Sequence, residues 1–354
     1  MLRDIYVRPI GLYPSQSGEA AEEVWGGLQL AGGWLDFLGL EVIERNGAAV
    51  ERRIAGLGDF LERDWGRRSQ QAADMFNLMR EPRPRIAGLS MDRPRIMGIV
   101  NVTPDSFSDG GALGSVDAAV AHAQSLAAAG ADILDIGGES TRPGSDPVSV
   151  EDELARVIPV IKTLAGTTDA LISIDTRKAD VMCEAASAGA DIINDVSALT
   201  YDPESLETVA DLGLPVMLMH ALGDPKTMQN SPAYDDVVLD VFDYLEARIE
   251  ACDRVGIPRR KIIADPGIGF GKTLDHNLAL MRGLSVFHGL GVPLLLGASR
   301  KTFIGKLTGV EVAADRVSGS LAAALAGVAQ GAQLVRVHDV KETVEALKVW
   351  SAVA

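Results

Sequence analysis

The chain has 354 residues, of which 47% are hydrophobic and 23% are charged. This composition is typical of a folded globular protein and excludes a generally disordered one. Lysine and arginine number 33 against 49 acidic residues, which gives a formal net charge of −16. A broad basic surface for nucleic acid or anionic lipid is therefore excluded.

Cysteine content and hydropathy indicate where the chain works. The two cysteines, Cys183 and Cys252, form no CxxC pattern, so neither structural zinc nor a disulfide framework is expected. The first residues, MLRDIYVRPIGLYP, lack the apolar core of a secretory signal. The Ala-rich stretch 321–332 is too short and too often interrupted by glycine to span a bilayer. We therefore expect a cytoplasmic protein without a membrane segment.

A proline- and arginine-rich stretch at 80–94 divides the chain into two parts. Residues 1–85 are predicted to form a small α+β extension, and residues 86–354 the catalytic domain. The extension holds three of the four tryptophans, a hairpin signal at Asn46-Gly47 and a helical pattern over 58–80, but no recognisable chemistry. Its role is not evident, and a chain beginning at Ile86 is expected to stay soluble and active.

The second part alternates short apolar runs with Ala-rich helical stretches. Near-continuous apolar strands are typical of a parallel sheet that is covered on both faces. Glycines before several runs fit left-handed helix ends. With each run followed by a helix, the pattern predicts a (β/α)8 TIM barrel, with a doubly wound sheet as the poorer alternative. The eight runs are 95–103, 131–138, 171–176, 191–196, 215–220, 261–267, 293–299 and 332–339.

Polar residues lie at the ends of these strands, which meet at one mouth of such a barrel. A single aspartate there is often only a helix N-cap, but capping does not require Asn, His and Arg. Carboxylate and amide groups fit a nitrogen heterocycle, whereas Lys and Arg from strands 7 and 8 fit phosphate. The residues are Asn101, Asp135, Asp175, Asn194, His220, Asp265, Ser299, Arg336 and His338, with further cationic reach from Arg142, Arg300 and Lys301.

Two glycine-ended loops follow the first two strands and are expected to be functional. They are TPDSFSDGG at 103–111, with Asp105 and Phe107, and GGESTRPG at 137–144. The segment GIGFGKT at 267–273 imitates a phosphate-binding P-loop, but its motif requires glycine where Pro266 stands. We therefore reject a Walker A site.

These segments together closely resemble the dihydropteroate synthase family, in order along the whole barrel. The matching stretches are MGIVNVTPDSFSDGG (97–111), GADILDIGGESTRPG (130–144), SIDTRK (173–178), GADIINDVSAL (189–199), PVMLMH (215–220), GDPKTMQNSPAYDDV (223–237), ADPGIGFGK (264–272), LLLGASRKTFIG (294–305) and VRVHDVKETVEA (335–346).

The resemblance implies a transferase of folate biosynthesis. It would join 4-aminobenzoate to 6-hydroxymethyl-7,8-dihydropterin diphosphate and release pyrophosphate, with Mg²⁺ as cofactor. Family members are commonly homodimers, and the helices at 314–330 and at the C-terminus offer an apolar face for this.

The resemblance also implies the site residues, with Asp175, Lys301, Arg336 and His338 as the catalytic ones. Three groups of side chains would hold the pterin, the diphosphate and the aminobenzoate. The loop at 103–111, with Asp105 and Phe107, and the loop at 137–144 would close the site. The three groups are Asp175, Asn194, Asp265 and Lys301 with Met219 for the pterin, Asn101 (through Mg²⁺), Arg336 and His338 for the diphosphate, and Thr141, Arg142, Phe270, Ser299 and Lys301 for the aminobenzoate.

Two alternatives remain open. A pterin-dependent methyltransferase would share Asp175, Asn194 and Asp265 but would not need the SRK and RVHD segments or the TPDSFSDGG loop. A non-catalytic pterin-binding paralogue would be expected to lack polar groups at the mouth. Formation of labelled pteroate and pyrophosphate from the two substrates distinguishes all three.

Overall fold

The computed structural model describes residues 4–15, 26–47, 49–103, 111–140, 145–223, 228–229 and 231–353, with the backbone alone for 111–115. Its larger part is one sheet of eight parallel strands. The strands are β7 (Arg95–Asn101), β8 (Ile133–Gly137), β9 (Leu171–Asp175), β10 (Ile192–Asp195), β11 (Val216–Met219), β12 (Ile262–Asp265), β13 (Leu295–Leu296) and β14 (Leu334–Val337).

Helices follow the strands and surround the sheet. They are α3 (Gly111–Ala129), α4 (Val150–Leu164), α5 (Ala179–Ala188), α6 (Ser205–Leu212), α7 (Val237–Arg254), α8 (Leu274–Arg282), α9 (Thr302–Thr308), α10 (Val317–Val328) and α11 (Val340–Val353). Gly130, Gly189 and Gly331, which precede strands, have the positive φ angles that the sequence predicts.

The sheet runs in the order β12-β11-β10-β9-β8-β7-β14-β13. A parallel bridge between Ala264 and Leu294 brings β12 to the segment that leads into β13, so the barrel nearly closes. The predicted TIM barrel is thus confirmed, as is the α+β extension before it.

The inward side chains form layers because successive residues of a strand point to opposite faces. The lowest layer is a fully apolar cluster that includes Met97, Ile133, Met217 and Leu334. Ile86 and Met91 pack against its members and fill the end of the barrel away from the mouth. Two residues further along several strands the inward positions become polar, so the apolar layer supports the polar one above it.

In its described residues, the extension has two small antiparallel sheets and two α-helices. One sheet has the order β1-β5-β6 and the other β2-β4-β3. The elements are β1 (Ile5–Ile10), β2 (Tyr13–Pro14), β3 (Leu28–Gln29), β4 (Leu35–Phe37), β5 (Gly39–Asn46), β6 (Ala49–Gly56), α1 (Leu57–Glu62) and α2 (Ser69–Arg80).

The sequence predicts the extension's elements with two local differences. The hairpin joins β5 to β6, but Asn46 pairs with Ala49 in the ladder, so Gly47, with φ +63°, is the first turn residue. The helical stretch predicted over 58–80 is interrupted between α1 and α2. Gly66 has φ +58° and donates its N–H to Asp64 Oδ1 at 2.8 Å, a local turn that breaks the helix.

The extension packs tightly against the barrel. Tyr6 of β1 is fully buried, its ring meets Phe242 of α7 edge to face at 5.5 Å, and its hydroxyl donates to Asp243 at 2.8 Å. Trp34 Nε1 donates to the carbonyl of Val328 in α10 at 3.2 Å. Apolar side chains of both parts belong to one core cluster. No helix among the described residues is both long enough and apolar enough to cross a membrane.

Candidate active site

Two carboxylates and one guanidinium form the centre of the mouth. Asp135 lies in β8, Asp175 ends β9 and Arg336 lies in β14, all at inward positions. Arg336 Nε donates to Asp135 Oδ2 at 2.6 Å, and its Nη2 donates to Asp175 Oδ2 at 2.7 Å. Asp135 is fully buried and Asp175 is 9% exposed, so the ion pairs are shielded from water.

Asp175 is held close to its titration point near neutral pH. Burial raises its pKa to about 7, Arg336 opposes this rise, and the neighbouring charge of Asp135 adds to it. The carboxyl therefore changes charge in the physiological range. It can accept from N–H donors of a heterocycle or stabilise a cation once it is ionised.

Asn194 and Asp265 complete the polar layer around this centre. Asn194 Nδ2 donates to Asp135 Oδ2 at 3.2 Å, which fixes the amide inside the barrel. Asp265 ends β12, where burial raises its pKa and Lys301 opposes the rise. A Cβ placed on Gly297 would lie 3.7 Å from both Asp265 Oδ2 and Lys301 Nζ, so these charges converge beside that glycine. Met219, buried and paired with Asp265, supplies an apolar side chain.

Lys301 and Phe270 face each other at the edge of the mouth. The Lys301 ammonium lies 4.6 Å from the centre of the Phe270 ring and donates to the carbonyl of Ile268. Burial lowers the pKa of Lys301 to about 8, with Asp265 opposing the shift. The pair thus combines a positive charge with an aromatic face.

Arg300 does not add its charge to the mouth, although the sequence offers it as a further cation. Its guanidinium pairs with Asp339, with Nε 3.0 Å from Oδ2. Its backbone is left-handed, with φ +56°, and its carbonyl accepts from Arg316 Nη1 at 3.0 Å. These contacts hold a strained turn that presents Lys301 to the site.

Ser299 and His338 form a second polar pair. Ser299 Oγ lies 3.0 Å from His338 Nδ1 and accepts the main-chain N–H of His338 at 3.2 Å. The serine hydroxyl can donate to Nδ1 or accept from it, so this contact orients the imidazole in either tautomer.

The contacts given above do not include several of the predicted site residues. Asn101 ends β7, half-buried, and pairs with Gly137. Thr141, Arg142, Asp105 and Phe107 lie outside the described residues. Among the residues that are described, no three His, Cys, Asp or Glu side chains are grouped to hold a metal ion.

Comparison with known proteins decides the family. A family model described as pterin binding enzyme matches residues 97–338. The dihydropteroate synthase of Escherichia coli K12 is 52% identical over 264 residues, which are 75% of this chain and 93% of that protein. The Xanthomonas albilineans enzyme solved with 4-aminobenzoic acid is 54% identical with a TM-score of 0.72, covering 77% of this chain and 98% of that one. The same enzyme has been solved with 7,8-dihydropteroate, at 51% identity over 77% and 98% of the two chains and a TM-score of 0.70.

The chain belongs to the dihydropteroate synthases.

This membership accounts for the barrel but leaves the extension aside, because the matched family model begins only at residue 97. It also fits the position of the polar layer, since dihydropteroate synthases act on a pterin and the described mouth presents carboxylates and an amide for such a ring.

The sequence does not reveal the roles of two residues of this dihydropteroate synthase site. It places Asp135 among the strand-end residues without a role, yet in the structure Asp135 accepts from both Asn194 and Arg336. An aspartate inside an apolar strand, two residues after the inward Ile133, was the signal. Lys272 lies in the rejected P-loop segment and in the matching stretch 264–272, but the sequence gives it no role, whereas in the structure it is buried.

Proposed function

We propose that the chain condenses 6-hydroxymethyl-7,8-dihydropterin diphosphate with 4-aminobenzoate to give 7,8-dihydropteroate and pyrophosphate. The observation that supports it best is the convergence of Asp135, Asp175 and Arg336 inside the barrel, beside Asn194. One buried cluster thereby offers acceptors for ring N–H groups next to a donor for an anion. Relatives at about half identity carry this activity in their names.

The pterin is proposed to bind to Asp175, Asn194 and Asp265, with Met219 against its face. The bond between the methylene carbon and the diphosphate oxygen breaks, which leaves a cation conjugated with the ring. Ionised Asp175 stabilises this cation at short range in a site largely closed to water. The amine nitrogen then forms the new C–N bond and loses one proton.

Arg336 and His338 are proposed to bind the diphosphate and to stabilise the charge that develops as it leaves. Arg336 retains 22% side-chain exposure despite its two ion pairs, so part of the guanidinium faces the mouth. Asn101 would contribute a neutral oxygen to Mg²⁺. A carbonyl oxygen of this kind is among the hard ligands that suit Mg²⁺. When bound, Mg²⁺ would neutralise the leaving diphosphate.

The aminobenzoate is proposed to lie between Lys301, Ser299 and Phe270, with Thr141 and Arg142 completing its site. The charge of Lys301 suits the carboxylate, and the Phe270 ring suits the aryl group. An aromatic amine is already neutral at pH 7, so no activated serine or cysteine is needed as nucleophile.

The test is direct. The protein is incubated with Mg²⁺, pterin diphosphate and labelled 4-aminobenzoate, and labelled pteroate and free pyrophosphate are measured. Product without added methyl donor supports the synthase. Pterin binding without product would favour the non-catalytic alternative, and methyl transfer would favour the methyltransferase.

We also propose that the chain works in the cytoplasm as a homodimer. Cys183 and Cys252 are free thiols, as expected in a reducing compartment. Val349 and Val353 on α11 are 64% and 78% exposed and offer apolar contact to a second copy. Light scattering on the wild type and on Val349→Glu tests this, with a monomeric variant as the expected result.

A further inference from the structure

The segment Pro266–Thr273, here called the GIGFGK loop, is fixed by side chains from three neighbouring segments. Asn277 Oδ1 accepts the N–H of Gly269 at 2.6 Å, and Gln229 Nε2 donates to the carbonyl of Gly269 at 2.7 Å. Tyr234 hydroxyl donates to the carbonyl of Gly271 at 2.8 Å. Side chains of the protein itself therefore define the conformation of the loop.

Lys272 anchors this loop from inside. It is only 3% exposed, although lysine is almost never buried without partners. Its Nζ lies 2.8 Å from His220 Nδ1, and it donates to the carbonyls of His220 at 3.3 Å and of Phe270 at 3.0 Å. Three acceptors thus match the three N–H groups of an ammonium.

The environment of Lys272 acts on its charge in opposite directions. Burial lowers the pKa of Lys272, Asp265 opposes the shift and Lys301 adds to it. Burial and the facing ammonium lower the pKa of His220 to about 2, so the imidazole is neutral and Nδ1 has a lone pair to accept. His220 is held from its other side by the Tyr244 ring, edge to face at 4.8 Å.

We propose that Lys272 is a positioning residue for the subsite that binds the aryl amine. By holding the carbonyl of Phe270 against His220, it keeps the Phe270 ring over the Lys301 ammonium. The inference rests on the proposed function, because that function makes Phe270 and Lys301 the walls of the subsite.

The effect is weighted toward the amine because Asp135, Asp175 and Asn194 come from other strands and have no contact with the GIGFGK loop among the hydrogen bonds described. Asp265, which accepts the N–H of Gly267 at 2.7 Å, is the pterin residue that does contact the loop. Removing the ammonium leaves two buried carbonyls without their donor. Such groups are costly in the folded state, so the loop relaxes to find other partners. Phe270 moves with it, whereas the pterin contacts of β8, β9 and β10 stay.

The main variant is Lys272→Met, which keeps the length and removes all three donors. His220→Leu removes the same contact from the other side. His220→Asn is its matched partner, because an asparagine Oδ1 can take the place of Nδ1 as acceptor. Arg83→Met is the control for simple loss of a buried cation. Arg83 also donates to backbone carbonyls, those of Leu78, Glu81 and His288, but it belongs to the linker and not to the GIGFGK loop.

Three quantities are measured: KM for 4-aminobenzoate, affinity for a bare pterin analogue, and amide hydrogen exchange of residues 266–273. For Lys272→Met and His220→Leu we expect KM for the amine to rise about tenfold, as for loss of one buried charged contact. Exchange in the GIGFGK loop speeds up, and pterin affinity falls clearly less than affinity for the amine, because Asp265 is the pterin residue bonded to the loop. His220→Asn restores most of the KM, and Arg83→Met lowers thermal stability without changing this KM.

Equal losses for the amine and the pterin, or an unchanged KM in Lys272→Met, would overturn the proposal. Should Lys272→Met fail to fold, the two His220 variants decide by the same criteria. Should the wild type form no pteroate at all, the proposed function falls. The role of Lys272 is then decided by hydrogen exchange alone, since unchanged exchange in residues 266–273 would refute it.

Discussion

Asp175 illustrates how one residue can combine recognition and catalysis. Its carboxyl is buried, paired with Arg336 at 2.7 Å and close to Asp135, so its charge depends on a balance of desolvation and two opposite neighbours. A group of this kind serves chemistry better than stability, because the buried carboxylates repel each other unless the guanidinium remains between them.

The substitution Asp175→Asn should keep the fold and lose pterin binding. The amide has nearly the same shape but cannot be ionised and has an NH₂ donor in place of one acceptor oxygen, so it neither accepts N–H groups on both sides nor stabilises a cation. Calorimetry with a pterin analogue is expected to show a loss of about 1.5–3 kcal/mol, the usual value for a charged hydrogen bond. Unchanged affinity together with an unchanged rate would remove Asp175 from the site.

The pH dependence follows from two shifted groups. The pKa of Asp175 is raised to about 7, so its carboxylate forms as the pH rises through that value. The pKa of Lys301 is lowered to about 8, so its ammonium is lost above that value. We expect activity to peak between these two values. The rise with pH is measured as the affinity for a bare pterin, because this ligand avoids titration of the diphosphate. This rise should be absent in Asp175→Asn.

Arg336 has a broader role than a diphosphate clamp. The sequence predicts that Arg336→Ala weakens only the diphosphate ligands, since Arg336 and His338 are two apart on one strand. In the structure the guanidinium also neutralises Asp135 and Asp175. Its loss leaves both carboxylates unpaired, which raises the pKa of Asp175 further and weakens pterin binding as well.

Titration of Arg336→Ala with a bare pterin and with pyrophosphate tests this. We expect clear losses for both ligands, of about 1.5–3 kcal/mol for pyrophosphate. Loss for pyrophosphate alone would restore the simpler role of a dedicated anion clamp.

At the scale of elements, the strands and their polar ends could be predicted, because near-continuous apolar runs and a regular alternation with helices leave a clear pattern. The side-chain partners could not. Nothing local in the sequence indicates that Arg336 reaches β8 and β9, or that Lys272 turns inward to His220. These contacts join residues distant in sequence, and only the closed barrel brings them together.

The GIGFGK loop allows a test of whether its backbone conformation requires glycine at position 267. Gly267 has φ +69°, and an added Cβ would lie 1.9 Å from the carbonyl oxygen of His220. Gly309 has a similar φ of +76° but nothing within 4 Å of that position. Gly309→Ala should therefore cost only the strain of a left-handed residue, about 1–2 kcal/mol. Gly267→Ala should cost clearly more and abolish activity, as measured by denaturant unfolding and turnover. Equal costs for the two would show that the loop shifts freely.

At the scale of the whole molecule, the extension is a part of the barrel's outer wall. Salt bridges from Arg45 to Asp240 and Asp243, and from Arg52 to Asp236, join the first sheet to α7. Arg83, in the linker, is buried and donates to the backbone carbonyl of His288 at 2.9 Å. The proline-rich stretch indicates a boundary in the sequence, but composition carries no information on which apolar surface the extension covers.

Removal of residues 1–85 should therefore destabilise the barrel, in contrast to the expectation from sequence that a chain beginning at Ile86 stays soluble and active. Phe242 and Phe287 are fully buried beneath the extension's core, and Gly289 lies against Met75 of α2. Exposure of each large apolar side chain costs about 1.5–3 kcal/mol, and a typical domain has only about 5–15 kcal/mol in total. We expect the shortened chain to be insoluble or to melt at a temperature far below that of the full chain.

Tyr6→Phe, which removes only the hydroxyl bonded to Asp243, should lower the free energy of unfolding by about 1.5–3 kcal/mol. Ile54→Ala, at a side chain 78% exposed, should change little and serves as the surface control. A chain from Ile86 with the melting temperature and turnover of the full protein would show that the barrel does not depend on this wall.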